Sequence, residues 1–94
     1  MTAINTTQKF LFDKATKTHV SLHFLLDFNE DILVDGLCYV GDVIVSIDGT
    51  SVISVSSDVM QNCLQAILPG RIGVLEVCSL SVLRKIKKKL FIYL

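Results

Sequence analysis

Residues 35–52 read DGLCYVGDVIVSIDGTSV, and their pattern decides how the rest of the chain is divided. Val43, Ile44, Val45 and Ile47 make a nearly continuous apolar run between Gly41-Asp42 and Asp48-Gly49. A short apolar run closed by turn residues at both ends predicts a buried strand. An Asp-Gly pair straight after it predicts a tight turn, because glycine takes positive φ without steric cost. A short return strand over Ser51–Ile53 follows from that turn.

Upstream, QKFLFD at 8–13 alternates, with Phe10 and Phe12 on one face and Leu11 on the other. Polar Lys14–Thr18 reads as a loop. From His19 to Leu26, Val20, Leu22 and Phe24 alternate with Ser21 and His23, a second strand. Asp27–Asp31 reads as a turn and Ile32–Val34 as a short β-prone run before the break at Asp35-Gly36.

Downstream, Ser56 or Ser57 is placed to cap a helix, because a serine hydroxyl accepts an orphan amide of the first turn. Met60, Cys63, Leu64, Ile67 and Leu68 recur at three- and four-residue steps and give that helix one buried stripe. Pro69-Gly70 ends it, and Ile72–Cys78 is the next strand. The final stretch has two patterns: Leu83, Ile86 and Leu90 fall at helical steps, while LFIYL is β-prone. The expected class is mainly β or α+β, about five strands with one main helix over residues 57–68.

Composition bounds the function. The 94 residues are 51% hydrophobic and 19% charged, with one proline and five glycines, which fits one small globular domain rather than a disordered or fibrous chain. No apolar run reaches the ~18 residues of a membrane span. The opening MTAINTTQKF has no apolar signal core, so a cytoplasmic location is expected. Cys38, Cys63 and Cys78 are odd in number and widely spaced, the usage of buried thiols in a reducing compartment. The net charge of zero conceals a division. Residues 1–83 hold four cations against all nine acids, and the last eleven residues hold Arg84, Lys85, Lys87, Lys88 and Lys89 with no acid. Such a basic end is suited to an acidic surface, its own or a partner's.

Catalytic and metal chemistry find little footing. His19 and His23 lie four apart on a strand, a span of ~13 Å, too far to share a metal with bonds of ~2 Å. No cysteine pair has ligand spacing, and no glycine-rich phosphate loop or carboxylate pair is present. Asp42 and Asp48 stand at turn positions, where side chains bond local backbone. No enzyme activity and no cofactor are expected. Nucleic acid is not an expected partner either, since only Phe91 and Tyr93 offer stacking surfaces near the basic run.

The ordered set Gly36-Leu37, Val40-Gly41-Asp42, Ile44, Ile47 and Asp48-Gly49 resembles the most recognisable stretch of a PDZ domain. The following helix and strand arrive at the expected distance. The resemblance covers residues 8–79, most specifically 35–79, leaving 80–94 as a basic amphipathic tail. It implies a partly open β-sandwich that acts as a scaffold or adaptor module, binding an extended peptide or a partner's C-terminus by strand addition. It places the carboxylate-binding loop and ligand-binding strand at His19, Val20, Ser21 and Leu22, with Val20, Leu22 and Phe24 lining the pocket. Ser57, Gln61 and Leu64 would face them from the helix. His19 and Ser21 stand where the family carries glycines, which implies weak binding or internal β-strand ligands. The family's short helix after the third strand has no room before Gly36. A Pro-Gly before the late strand, as at Pro69-Gly70, and a basic-then-apolar end are also familiar from the PDZ modules of high-temperature-requirement serine proteases.

Three further roles compete for this chain. Arg84, Lys85, Lys87, Lys88 and Lys89 would attach it peripherally to anionic lipid, each contributing about 1 kcal/mol near the surface. Ile92-Tyr93-Leu94 would serve as a ligand for the chain's own groove or for a second copy. A degenerate domain would serve only in assembly.

Overall fold

The computed structural model describes residues 4–29, 32–67, 70–80 and 85–93. The strands are β1 (Ile4–Asp13), β2 (Thr18–Phe28), β3 (Leu33–Asp35), β4 (Val43–Ile47), β5 (Thr50–Ser51), β6 (Ile72–Leu80) and β7 (Lys85–Tyr93). One helix, α1 (Ser57–Gln65), lies between β5 and β6. All the strand pairings are antiparallel, in the order β1-β2-β4-β6-β7-β3, with β5 paired to β4 alone. The mainly β, one-helix class is therefore as expected, with seven strands among the described residues in place of about five.

Local chemistry explains the elements. The run 43–47 is β4, and Ile47 pairs with Thr50 across a two-residue turn. Asp48 has φ 48° and Gly49 φ 82°, the two positive values that a type I′ hairpin turn requires. Asp48 also accepts the Val74 amide at 2.7 Å through Oδ1, which ties this turn to β6. Ser56 is the helix N-cap, its hydroxyl accepting the Val59 amide at 3.2 Å. α1 ends at Gln65, three residues short of the expected Leu68, which lies outside the described residues together with Pro69.

The largest difference from the sequence reading is at the C-terminal end. Within the stretch expected as a tail from 80 onward, Lys85–Tyr93 follows its β-prone pattern and forms a strand inside the sheet, β7, between β6 and β3. Leu90 and Ile92 project into the core and are fully buried, while Lys87, Lys89, Phe91 and Tyr93 project outward. The two-residue period of these side chains prevails over the helical steps of Leu83, Ile86 and Leu90. Leu83 and the side chain of Ile86 lie outside the described residues.

One face of the sheet carries the core. Ile4, Leu25, Ile44, Ile47, Leu75, Val77, Leu90 and Ile92 meet Met60 and Leu64 of α1, with Val52 and Ile67 from the flanking loops. The packing reaches atomic contact at Gly73, where an added Cβ would lie 2.6 Å from Ile67 Cδ1 and 3.0 Å from Ile92 Cγ1. The loop before β4 is held by Asp42, whose Oδ2 accepts the Tyr39 amide at 3.0 Å and faces Lys88 Nζ at 3.4 Å.

Candidate functional site

β1 forms an outer edge of the sheet, and which of its backbone groups point outward follows from its neighbour. The β2 residues Ser21 and Leu25 send their hydrogen bonds away from β1. The Ser21 carbonyl accepts the Ser54 amide at 2.8 Å, and the Leu25 amide and carbonyl bond Asp42 O and Gly41 N at 2.7 and 2.8 Å. Backbone direction alternates along a strand, so Val20, Leu22 and Phe24 bond toward β1, where they pair with Leu11, Lys9 and Thr7. Thr6, Gln8, Phe10 and Phe12 then direct their amides and carbonyls to the free side, where no described strand lies. An unpaired row of this kind is a template for another strand.

The side chains of this row lie on the same face as α1. Ser57 Oγ donates to Gln8 Oε1 at 2.9 Å, and Thr6 Oγ1 lies 3.9 Å from Met60 Sδ. Behind them, the Val55 carbonyl is met by Gln8 Nε2 at 3.3 Å, Ser21 Oγ at 3.4 Å and His23 Nε2 at 3.1 Å. These contacts fasten the start of α1 above the β1–β2 hairpin. Gln61 follows Ser57 by four residues and so shares its side of the helix. Its Oε1 is buried with no hydrogen-bond partner among the described residues, and so is His23 Nδ1. Beyond the helix, Phe10 and Phe12 are 70% and 54% exposed.

The structure divides the expected site. His19, Val20, Ser21, Leu22 and Phe24 lie in regular strand β2, not in a loop, and β1 covers that strand's outer side throughout their length. The placement of a ligand strand on β2 is corrected accordingly: the edge nearest the helix is β1. Val20, Leu22 and Phe24 are half-buried on the face opposite α1, with Lys9 Nζ 5.3 Å from the Phe24 ring centre. His19 packs its ring 5.2 Å from that of Phe12. Ser57 bonds Gln8 of β1, Gln61 lies one helical turn further along the same side of α1, and Leu64 is core. Thr6, Gln8 and Phe10 went unread as site residues. The alternation of QKFLFD was visible, but nothing in it says which of two adjacent strands is outermost.

The C-terminal alternatives also change. Ile92 is paired with Gly73 on one side and Val34 on the other, so the end of the chain cannot serve as an extended ligand through Ile92 without leaving the sheet. Leu94, Arg84 and the side chain of Lys85 lie outside the described residues. Lys87 and Lys89 are exposed on the outer face, whereas Lys88 turns inward to Asp42 and lies 5.1 Å from the Tyr39 ring centre.

Among the described residues no three His, Cys, Asp or Glu side chains gather as metal ligands. No described helix is long and apolar enough to cross a membrane. The three cysteines are free and partly buried. Burial pushes the Cys38 thiol above its ordinary value, the Asp42 charge adds to this, and Lys88 opposes it. No family model matches the chain, and no curated protein or solved structure matches it.

Proposed function

We propose that this chain is a non-catalytic interaction module that takes an extended segment of a partner protein as an added strand on β1. The observation that carries the reading is the free β1 edge, with Thr6 and Gln8 directing backbone groups outward beside α1. Main-chain hydrogen bonds would supply the common part of the affinity, and side-chain contacts along the helix the selective part. Gln61 supports the reading by its position, one helical turn beyond Ser57 on the same side of α1. The resemblance of residues 35–79 to PDZ domains supports it also, with the ligand moved one strand earlier than His19–Phe24. No carboxylate-binding loop is placed beside β1 by the described residues, and residues 1–3 lie outside them. Internal segments and free C-termini are therefore separated by experiment.

The test is an amide NMR titration with peptide pools carrying free or amidated C-termini. Shifts at Ile4–Gln8 and Ser57–Gln61 are expected, and Gln8→Pro, which removes an outward amide, should abolish them. Leu22→Lys, on the opposite face, should leave them intact. A dispersed spectrum unmoved by either pool would refute the reading. So would peptide shifts lost in Leu22→Lys but kept in Gln8→Pro.

A second reading rests on the outer face, where Lys87 and Lys89 stand with Phe91 and Tyr93 on one strand. Cations beside aromatic rings suit an anionic lipid surface. Sedimentation with anionic liposomes that disappears at high salt would support peripheral attachment, and absence of sedimentation at low salt would exclude it.

A further inference from the structure

The hairpin end of β1, beyond the start of α1, has an arrangement that peptide binding does not use. Ser57 stands level with Gln8, so residues 9–13, Lys-Phe-Leu-Phe-Asp, extend past the helix. Phe10 and Phe12 direct their backbone groups to the free side, and their rings are largely exposed. Read in the opposite direction, this five-residue stretch is its own complement in charge and apolarity. Antiparallel to a second copy and centred on Leu11, it sets Lys9 against Asp13, Phe10 against Phe12 and Leu11 against Leu11. Each charged pair and each aromatic pair occurs twice by symmetry.

We infer that two copies of this chain join edge to edge through Lys9–Asp13 of β1, about a two-fold axis at Leu11. The occupant is a second copy because the pairing chemistry is self-complementary, as an isologous interface demands. The backbone phase agrees. Phe10 and Phe12 carry the outward amides and carbonyls, so the two Phe10–Phe12 pairs are the hydrogen-bonded ones and Leu11 faces its copy in the close, non-bonded position. The four phenylalanine rings then share the helix side of a continuous sheet, as cross-strand aromatic pairs that favour association. Other centres fit less well. Centring on Lys9 sets that cation against itself, and centring on Phe10 sets Lys9 against Leu11. The five paired residues leave out the stretch Ile4–Thr7 beside α1, so this dimer does not depend on the peptide reading.

The test is sedimentation velocity of the full chain over a concentration series, with amide spectra to confirm folding. A monomer–dimer equilibrium is expected. Lys9→Glu and Asp13→Lys alone each bring like charges together at both ends and should raise the dimer dissociation constant about tenfold. An equimolar mixture of the two variants should regain dimer, because Glu then faces Lys at one end and Asp faces Lys at the other. That rescue also excludes misfolding as the cause of the single-variant loss. A monomeric wild type up to millimolar concentration would overturn the inference. So would a dimer indifferent to both single variants, or a mixture that shows no regain. Failure of peptide titration with this pattern intact would remove the peptide reading and leave the dimer.

Discussion

Gly73 and Cys38 show how single residues report on the packing around them. Gly73 has two isoleucines within the space of a methyl group. Gly73→Ala is therefore expected to cost about 1–3 kcal/mol in urea unfolding, the range for overpacking a dense core. A neutral result would mean that Ile67 or Ile92 can move aside. Cys38 has its thiol pushed upward by burial first and by Asp42 second. In a variant keeping only this cysteine, the alkylation rate should go on rising at pH values where an exposed thiol has levelled off. Asp42→Asn should bring that profile down, since Lys88 then acts without an opposing carboxylate; an unchanged profile would deny the Asp42 contribution. Asp48-Gly49 and Ser56 were legible from residue type alone, because a tight turn and an N-cap each depend on a few neighbouring atoms. Gly73 was not, because the atoms crowding it come from residues 67 and 92.

At the scale of elements, β7 gives the clearest case of tertiary structure selecting between two local patterns. Leu90 pairs with Leu75 and Ile92 with Gly73 on β6, and both isoleucine and leucine are core. Leu90→Ala should cost about 2–5 kcal/mol by chemical denaturation, as for other fully buried leucines. A cost below 1 kcal/mol would mean that β7 is a separable tail after all. β4, α1 and β6 were readable because each holds its apolar period without interruption. The first two strands were readable as strands but not in their order at the sheet edge. Val20, Leu22 and Phe24 look like an inward face by hydropathy, yet it is Ser21, His23 and Leu25 that turn toward α1. Polar Ser21 and His23 are accepted there because the Val55 carbonyl takes a hydrogen bond from each, at 3.4 and 3.1 Å. Loop backbone from thirty residues away supplies that carbonyl, and local patterning does not encode it.

At the scale of the molecule, one helix covers one face of a seven-stranded sheet among the described residues, and the edges take on functional weight. β3, at the far edge, is three residues long, whereas β1 has ten. Edges that are short or charged discourage pairing, and long apolar ones invite it. β1 bears one cation and one acid around three exposed apolar side chains, Phe10, Leu11 and Phe12. The charge division along the chain is partly resolved within the fold, where Lys88 meets Asp42, while Lys87 and Lys89 stay exposed to solvent. The candidate site thus depends less on any motif than on which strand is outermost.

The free outer side of β1 is open to direct measurement by residue-resolved amide hydrogen exchange on the dilute chain, below any association. Thr7, Lys9 and Leu11, bonded to β2, should be protected. Gln8, Phe10 and Phe12, directed outward, should exchange at least tenfold faster, in strict alternation, while Val20, Leu22 and Phe24 stay slow. Uniform protection along β1, or fast exchange at Val20–Phe24 with β1 protected throughout, would mean that another strand is the free edge, and both docking proposals would fail with it.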